Sequence, residues 1–203
     1  MIKHVARRLR LVLRQPEDPE VSTPAAPPAA ELELVAYGED VRLSGSIRME
    51  TSRLTDLLNG FDEYLLEDVL ASSISDGGVA RASEVLIPRS ELLLVHATGP
   101  RGDVRLRTRT IERGMNLKVG PYLVTGNVHT VAGMDPILDF RRRRSMVPLT
   151  DASIEYLSGD GPVVAHVDFV VVNRAAVEWV QVLESGAALS RLSGSFEVRR
   201  RRA

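Results

Sequence analysis

Four histidines are the residues of this 203-residue chain best suited to chemistry, and two of them fall on polar faces of predicted strands. These are His129 and His166, and Asp168 shares the face of His166 at strand spacing. If the two strands pair, the three side chains could form an acid–base or metal site. However, no two histidines have the H-x-x-x-H spacing of a helical metal site, and phosphate-loop, dinucleotide and nucleophile-elbow glycine motifs are absent. We therefore expect these residues to be solvated or hydrogen-bonded surface side chains, and we predict no catalytic residue, no metal and no cofactor.

Arginine clusters are the second group of candidate functional residues. Three arginines within residues 104–110 alternate with Val, Leu and Thr, and a strand would place them on one face, about 6.5 Å apart. Such a row could follow phosphates, but it also suits an edge strand protected from aggregation, or a stripe that pairs with the chain's own acids. Four more arginines follow a predicted helix over residues 136–140, where one or two would favour the helix dipole. The candidates for anion or partner binding are Arg105, Arg107, Arg109, Arg141, Arg142, Arg143 and Arg144.

Residues 1–15 form a third group, in which Ile2, Val5, Leu9 and Val12 trace one face of a predicted amphipathic helix. That helix could lie on an anionic membrane or dock on a protein partner, and a soluble helix that frays or packs on its own domain would explain the same pattern. Prolines then predict an extended tether over residues 16–30. The candidate cations for membrane or partner contact are Lys3, Arg7, Arg8, Arg10 and Arg14.

The composition excludes several classes of protein. With 26 Lys+Arg against 27 Asp+Glu, the net charge of −1 argues against coating nucleic acid by bulk charge. The charge is nevertheless uneven, since residues 31–76 hold eleven acids and three arginines, a balance of −8. The absence of cysteine excludes disulfides, thiolate metal sites and thiol nucleophiles. No apolar run approaches the length of a membrane-spanning helix, so we expect a cytoplasmic protein whose first helix could make peripheral membrane contact.

The body of the chain has β-strand patterns in an order that occurs twice. Apolar and polar residues alternate around Gly45 and again around Gly126, and an interior glycine indicates a bulge, a sharp bend or a close backbone approach. A short helix, a strand, a hairpin and another strand follow each glycine, so that Asp68 corresponds to Asp151. Duplication explains this order, although two unrelated β segments could imitate it. The sequence predicts a mainly β fold with two tandem small β-barrel-like units over residues 31–100 and 122–184, a connecting strand over 101–121 and a basic tail over 185–203.

The segment that follows the first glycine-bent strand carries a resemblance to a known architecture. The string Arg53-Leu-Thr-Asp-Leu-Leu-Asn59, followed by a strand, resembles the small SH3- and Sm-like barrels of uncharacterised bacterial proteins. In the second unit Met146-Val-Pro-Leu-Thr-Asp-Ala152 is similar, although the first string is not repeated there. The likeness covers residues 41–97 and 122–183. It implies binding or assembly modules and transfers no catalytic residue.

Together these features favour a non-enzymatic interaction or scaffold protein that the N-terminal helix recruits. We expect its partner to be a protein or a second copy of itself, in a homo-oligomer, with an anionic membrane surface as a further contact. A nucleic-acid-binding protein that uses the arginine stripes is the alternative. An enzyme with a His/Asp site is the second alternative.

Overall fold

A computed structural model of the chain describes residues 30–97 and 110–183, which form mainly β structure, as predicted. The first half contains β1 (Glu31–Tyr37), β2 (Val41–Arg48), α1 (Leu54–Gly60), β3 (Glu63–Ser73), β4 (Val79–Pro88) and β5 (Leu94–Ala97). The second contains β6 (Ile111–Val119), β7 (Tyr122–Thr130), α2 (Pro136–Arg142), β8 (Met146–Ser158), β9 (Gly161–Asn173) and β10 (Val177–Val182). The helix predicted over 1–15, the tether up to residue 29, Arg105, Arg107, Arg109 and the tail from residue 185 lie outside the described residues.

The ten strands form a single antiparallel sheet in which one strand order occurs twice. The order is β10-β6-β7-β8-β9-β5-β1-β2-β3-β4, so each half places its fifth strand beside its first and continues as a meander. A 3-10 turn separates the fourth and fifth strands in both halves, at Arg89–Glu91 and at Arg174–Ala176. The segment predicted as a connecting strand, 101–121, contains β6, which pairs with both β7 and β10. The repeated order of elements thus extends to the hydrogen-bonded order of the strands.

The mid-strand glycines mark the same bulge in both halves. The β2–β3 ladder slips between Ser44 and Ser46, opposite Asp68, whose φ of 50° is left-handed. The β7–β8 ladder slips in the same way around Gly126, opposite Asp151, whose φ is 46°. Aspartate is one of the few residues with a side chain that tolerates this region of backbone conformation. The predicted bulge is therefore confirmed at both glycines. The close approach is confirmed as well, because a Cβ would lie 2.7 Å from the Glu67 carbonyl oxygen at Gly45 and 3.1 Å from the Ala152 Cβ at Gly126.

Each half has its own apolar cluster, and the two clusters meet at the boundary between the halves. Leu43, Leu58 and Leu66 are typical of the first cluster, whereas Val124, Phe140 and Leu149 are typical of the second. Some residues cross the boundary. Met146 and Val171 of the second half pack in the first cluster, while Tyr37, Ile74 and Leu94 of the first half pack in the second.

Pairing between β5 and β9 joins the halves into one sheet. Leu94 lies opposite Val172 and Val95 opposite Val171. The next residue, Asn173, extends the joint: its backbone N–H donates to the carbonyl of Leu93 at 2.9 Å, and its side-chain amide donates to two more carbonyls of the first half, those of Arg89 at 3.1 Å and Leu92 at 2.8 Å.

Side chains on either side of this pairing reinforce the joint. Asn59 on α1 donates to the carbonyl of Met146 at 2.9 Å and accepts from its N–H at 3.0 Å. The Tyr122 hydroxyl donates to the carbonyl of Gly38 at 2.7 Å. The boundary therefore pairs the polar groups of Asn59, Tyr122 and Asn173 in addition to burying apolar side chains.

Candidate functional site

The arginine quartet after α2 divides into one structural residue and three exposed ones. The predicted cap of α2 is confirmed, since the Asp135 carboxylate accepts from the Leu138 N–H at 2.8 Å and Pro136 occupies the first turn. Arg143 is half-buried; it donates to the Asp139 carboxylate at 2.5 Å and to the carbonyl of His129. Arg141, Arg142 and Arg144 are exposed and carry the positive charge of this surface.

The two histidines of the suggested His/Asp site are not brought together. Strand β8 lies between β7, which carries His129, and β9, which carries His166. His166 lies opposite Ser153, which in turn faces Thr125 of β7, four residues before His129. The expectation that the two histidines could approach through paired strands is therefore wrong, because the sequence order places a third strand between them. Within residues 30–97 and 110–183 no group of three His, Asp or Glu side chains is arranged to hold a metal.

His129 instead has a local role in the sheet. Its Nε2 lies 2.9 Å from the Thr150 hydroxyl, and its Nδ1 lies 3.4 Å from the Thr110 hydroxyl. Both partners are neutral hydroxyl groups. The ring therefore links β7 to Thr150 of β8 and to Thr110, the residue that precedes β6. This agrees with the expected role as a hydrogen-bonded side chain.

A groove of about 610 Å³ lies in the first half and was not predicted. Strand β1 directs Leu34 and Ala36 into the apolar cluster, which leaves Glu31 and Glu33 on the alternate positions that line the groove. Asp68, at the bulge, adds a third carboxylate. The alternation of Glu and Leu over residues 31–34 was the signal for this strand and for its two faces. The groove is therefore acidic, and its chemistry suits a basic ligand.

His96 from β5 also lines this groove, at the position opposite Val35. Burial, and to a lesser extent the charge of Arg42, lowers the pKa of its imidazole below the ordinary value. The ring lies 5.6 Å from the ring of Tyr37, and within the described residues its buried Nδ1 has no hydrogen-bond partner. His96 is therefore neutral at neutral pH and adds no positive charge to the acidic groove.

Three tyrosine rings pack at the boundary between the halves. Tyr37 and Tyr122 meet edge to face with centroids 5.4 Å apart, and Tyr156 lies 5.5 Å from Tyr122. Burial raises the pKa of Tyr37 to about 12 and raises that of Tyr122 further. Both phenols stay protonated at neutral pH, so these rings contribute packing and hydrogen bonding rather than proton transfer.

The two ends of the sheet are the remaining candidate surfaces. In the part of the chain that the structure describes, β4 pairs with β3 alone and β10 pairs with β6 alone. Trp179, the single tryptophan of the chain, lies on β10 and is 45% exposed. An edge strand presents unpaired backbone N–H and C=O groups, which is the usual requirement for adding a further strand.

Fold and surfaces together define a mainly β protein with one ten-stranded antiparallel sheet, in which β4 and β10 are the end strands among the described residues. Comparison of the chain with protein-family models, with curated proteins and with solved structures gives no match. None of the described helices has the length and apolar character needed to cross a bilayer. Function is therefore inferred from the geometry of this chain.

Proposed function

We propose that this chain is a non-enzymatic interaction protein built from two tandem small barrel-like units, and that it associates with protein partners, including further copies of itself. The observation that carries the proposal is the joint between β5 and β9, where one half adds its last strand to the sheet of the other. Strand addition is a general mode of protein recognition, in which backbone hydrogen bonds supply affinity and side chains supply specificity. Each half thus contains a surface suited to association.

Two features support the barrel-like character of the units. Each half has its own apolar cluster, and each bends its second and third strands at the same bulge. Bulges of this kind increase the local twist and let a short sheet curve around its own core. They also support the resemblance to small SH3- and Sm-like barrels, whose roles are binding and assembly.

The distribution of charge supports a partner that is itself charged. The first half carries the acidic groove, while Arg141, Arg142 and Arg144 form an exposed basic surface on the second. Complementary charges of this kind steer encounter and orientation more than they add affinity. In this proposal the protein acts in the cytoplasm, and Lys3, Arg7, Arg8, Arg10 and Arg14 recruit it to a partner or to an anionic membrane surface.

The exposed arginines also favour a second candidate function, the binding of nucleic acid. A protein that neutralises several phosphates loses affinity steeply as salt is added, because condensed counterions are released on binding. The carboxylates Glu31, Glu33 and Asp68 oppose this function on the first half. Their repulsion would confine phosphate contact to the second half.

Light scattering combined with binding titrations tests the proposed function. We expect the full chain to show a mass above the 22.3 kDa of a single copy, increasing from micromolar to near-millimolar concentration. We also expect no binding to duplex DNA or single-stranded RNA at physiological salt.

Replacement of Arg141, Arg142 and Arg144 together by glutamine is the matched variant for these titrations. Salt-sensitive binding to nucleic acid that this variant loses would favour the alternative function. A single copy at every concentration would contradict self-association.

A further inference from the structure

We propose that β10 of one copy pairs with β4 of the next in the same way that β5 pairs with β9 within the chain, so that copies associate head to tail. This inference rests on the proposed self-association and specifies its interface. In both cases a fifth strand meets a fourth strand, because β5 and β10 are the fifth strands of their halves and β9 and β4 are the fourth. The internal joint therefore provides the register for the external one.

Pairing with the first strands, β1 and β6, shows which residues of the fifth strands, β5 and β10, correspond to each other. Leu34 lies opposite Gly45, and Met115 opposite Gly126, so Leu34 corresponds to Met115. Two residues further on, Ala36 pairs with Val95 of β5 and Leu117 pairs with Val180 of β10. Val180 thus corresponds to Val95, and Trp179 to Leu94.

The bulges at Asp68 and Asp151 show in the same way which residues of the fourth strands, β4 and β9, correspond to each other. Glu67, just before Asp68, lies opposite Glu84, and Thr150, just before Asp151, lies opposite Phe169. Counting along both strands, Leu86 corresponds to Val171 and Ile87 to Val172. The internal pairs Leu94–Val172 and Val95–Val171 therefore predict Trp179 opposite Ile87, and Val180 opposite Leu86, of the next copy.

Exposed apolar residues on the second half support this joint. Leu94 is fully buried because the second half covers it, whereas its counterpart Trp179 is 45% exposed. Ile74, which follows β3, is 7% exposed, whereas Leu157, 83 residues later, is 73% exposed. Asp68 and Asp151 have the same separation of 83 residues. The second half thus presents apolar side chains at the positions where the first half buries its own.

Charge complementarity also favours a second copy as the occupant. The buried residues Leu58 and Phe140 align α1 with α2, so the counterpart of Asn59 is Arg141. Asp68 and Asp151 align β3 with β8, so Glu63 is the counterpart of Met146. Within the chain, Asn59 binds Met146 across the internal joint, so between copies Arg141 takes the place of Asn59 and Glu63 that of Met146. Arg141 and Glu63 are both exposed and would face each other between copies. A charge pair at such a rim favours the correct orientation of two copies.

One difference makes the external joint the weaker of the two. Pro88 of β4 occupies the position of Asn173 of β9, and proline has neither an N–H nor a side-chain amide. The three hydrogen bonds that Asn173 donates across the internal joint are therefore missing between copies. We expect reversible association, and because the two edges differ, the contact propagates into a ring or an open filament.

Engineered cysteines test the register, since the chain contains none of its own. Leu86→Cys and Val180→Cys in one chain should give a ladder of covalent multimers on mild oxidation, because directly opposed strand residues bring their Cβ atoms close enough for a disulfide. The matched control pairs Arg81→Cys with Val180→Cys, which lies five residues out of register, and should give no ladder. Each single-cysteine variant should stay uncoupled alone, and a mixture of Leu86→Cys with Val180→Cys chains should give dimers.

Pro88→Asn is an independent test of the same joint. It restores the missing donors, so we expect association at roughly tenfold lower concentration. If light scattering shows multimers but the expected cross-link does not form, the β10–β4 joint is overturned. The same holds if Pro88→Asn does not associate more tightly than the wild type. Both results would leave the proposed self-association intact. Coupling of Val180→Cys chains to one another would overturn the β10–β4 joint in favour of pairing between like edges. A single copy at all concentrations would overturn both the β10–β4 joint and the proposed self-association.

Discussion

Gly45→Ala is expected to unfold the protein at a markedly lower urea concentration than the wild type. A Cβ at this position would lie 2.7 Å from the backbone carbonyl oxygen of Glu67 and 3.2 Å from a methyl group of Val69. Because a backbone atom cannot rotate away, β2 would have to separate from β3 at the bulge. We expect a loss of about 3 kcal/mol in the free energy of unfolding, measured by urea denaturation followed by circular dichroism.

Two other glycines provide graded controls for this prediction. A Cβ at Gly126 would meet Ala152 at 3.1 Å and Leu149 at 3.2 Å, so its neighbours would need to move only slightly. A Cβ at Gly60, the last residue of α1, would meet nothing within 4 Å. The loss of stability should therefore decrease from Gly45 to Gly126 to Gly60. Equal stability of the Gly45 and Gly60 variants would contradict the close approach of β2 and β3.

Asn173→Ala should produce the second large effect, by weakening the joint between the halves. The side chain is 4% exposed; it donates to the carbonyls of Arg89 and Leu92 and accepts from the N–H of Ala175 at 3.1 Å. Its removal leaves the buried carbonyl of Leu92 and the N–H of Ala175 without this partner, whereas the carbonyl of Arg89 keeps its bond from the Leu92 N–H. We expect a loss of about 3 kcal/mol in the free energy of unfolding.

Two spectroscopic probes measure the unfolding of this variant in different parts of the chain. Fluorescence of Trp179 reports on the second half, and far-ultraviolet circular dichroism reports on both. Asn116→Ala is the matched control, because the side chain of Asn116 makes one long contact, at 3.4 Å, with the Thr125 hydroxyl. That control should lose less than about 1 kcal/mol. If the two variants are equally stable, Asn173 does not hold the halves together.

Local features of the fold were readable from the sequence because each depends on a few neighbouring residues. A glycine within an alternating apolar pattern indicated the bulges at Gly45 and Gly126, and Asp135 followed by Pro136 indicated the start of α2. The alternation in β6 is equally regular, but local pattern alone does not show that this strand pairs with β7 and β10 rather than connecting two units. The pairing of β5 with β9 joins residues such as Leu94 and Val172, which are far apart in the chain, and no local pattern predicts that choice of neighbour.

The candidate site shows the same division between local pattern and topology. Strand periodicity placed His129 and His166 on polar faces, but the topology decided that β8 separates them. The structural role of Arg143 was within reach of the sequence, since Asp139 precedes it by four residues, the spacing of helical ion pairs. The acidic groove was not, because Glu33 and Asp68 meet there only through the pairing of three strands.

Emission of Trp179 across a dilution series tests most directly the central claim, which is that β10 of one copy pairs with β4 of the next as β5 pairs with β9 within the chain. The side chain is 45% exposed, and its counterpart Leu94 is fully buried by the neighbouring half. We expect the emission maximum to shift to shorter wavelength as concentration increases, in step with the mass from light scattering. An emission maximum that stays constant while the mass increases would show that copies associate elsewhere and would contradict the claim.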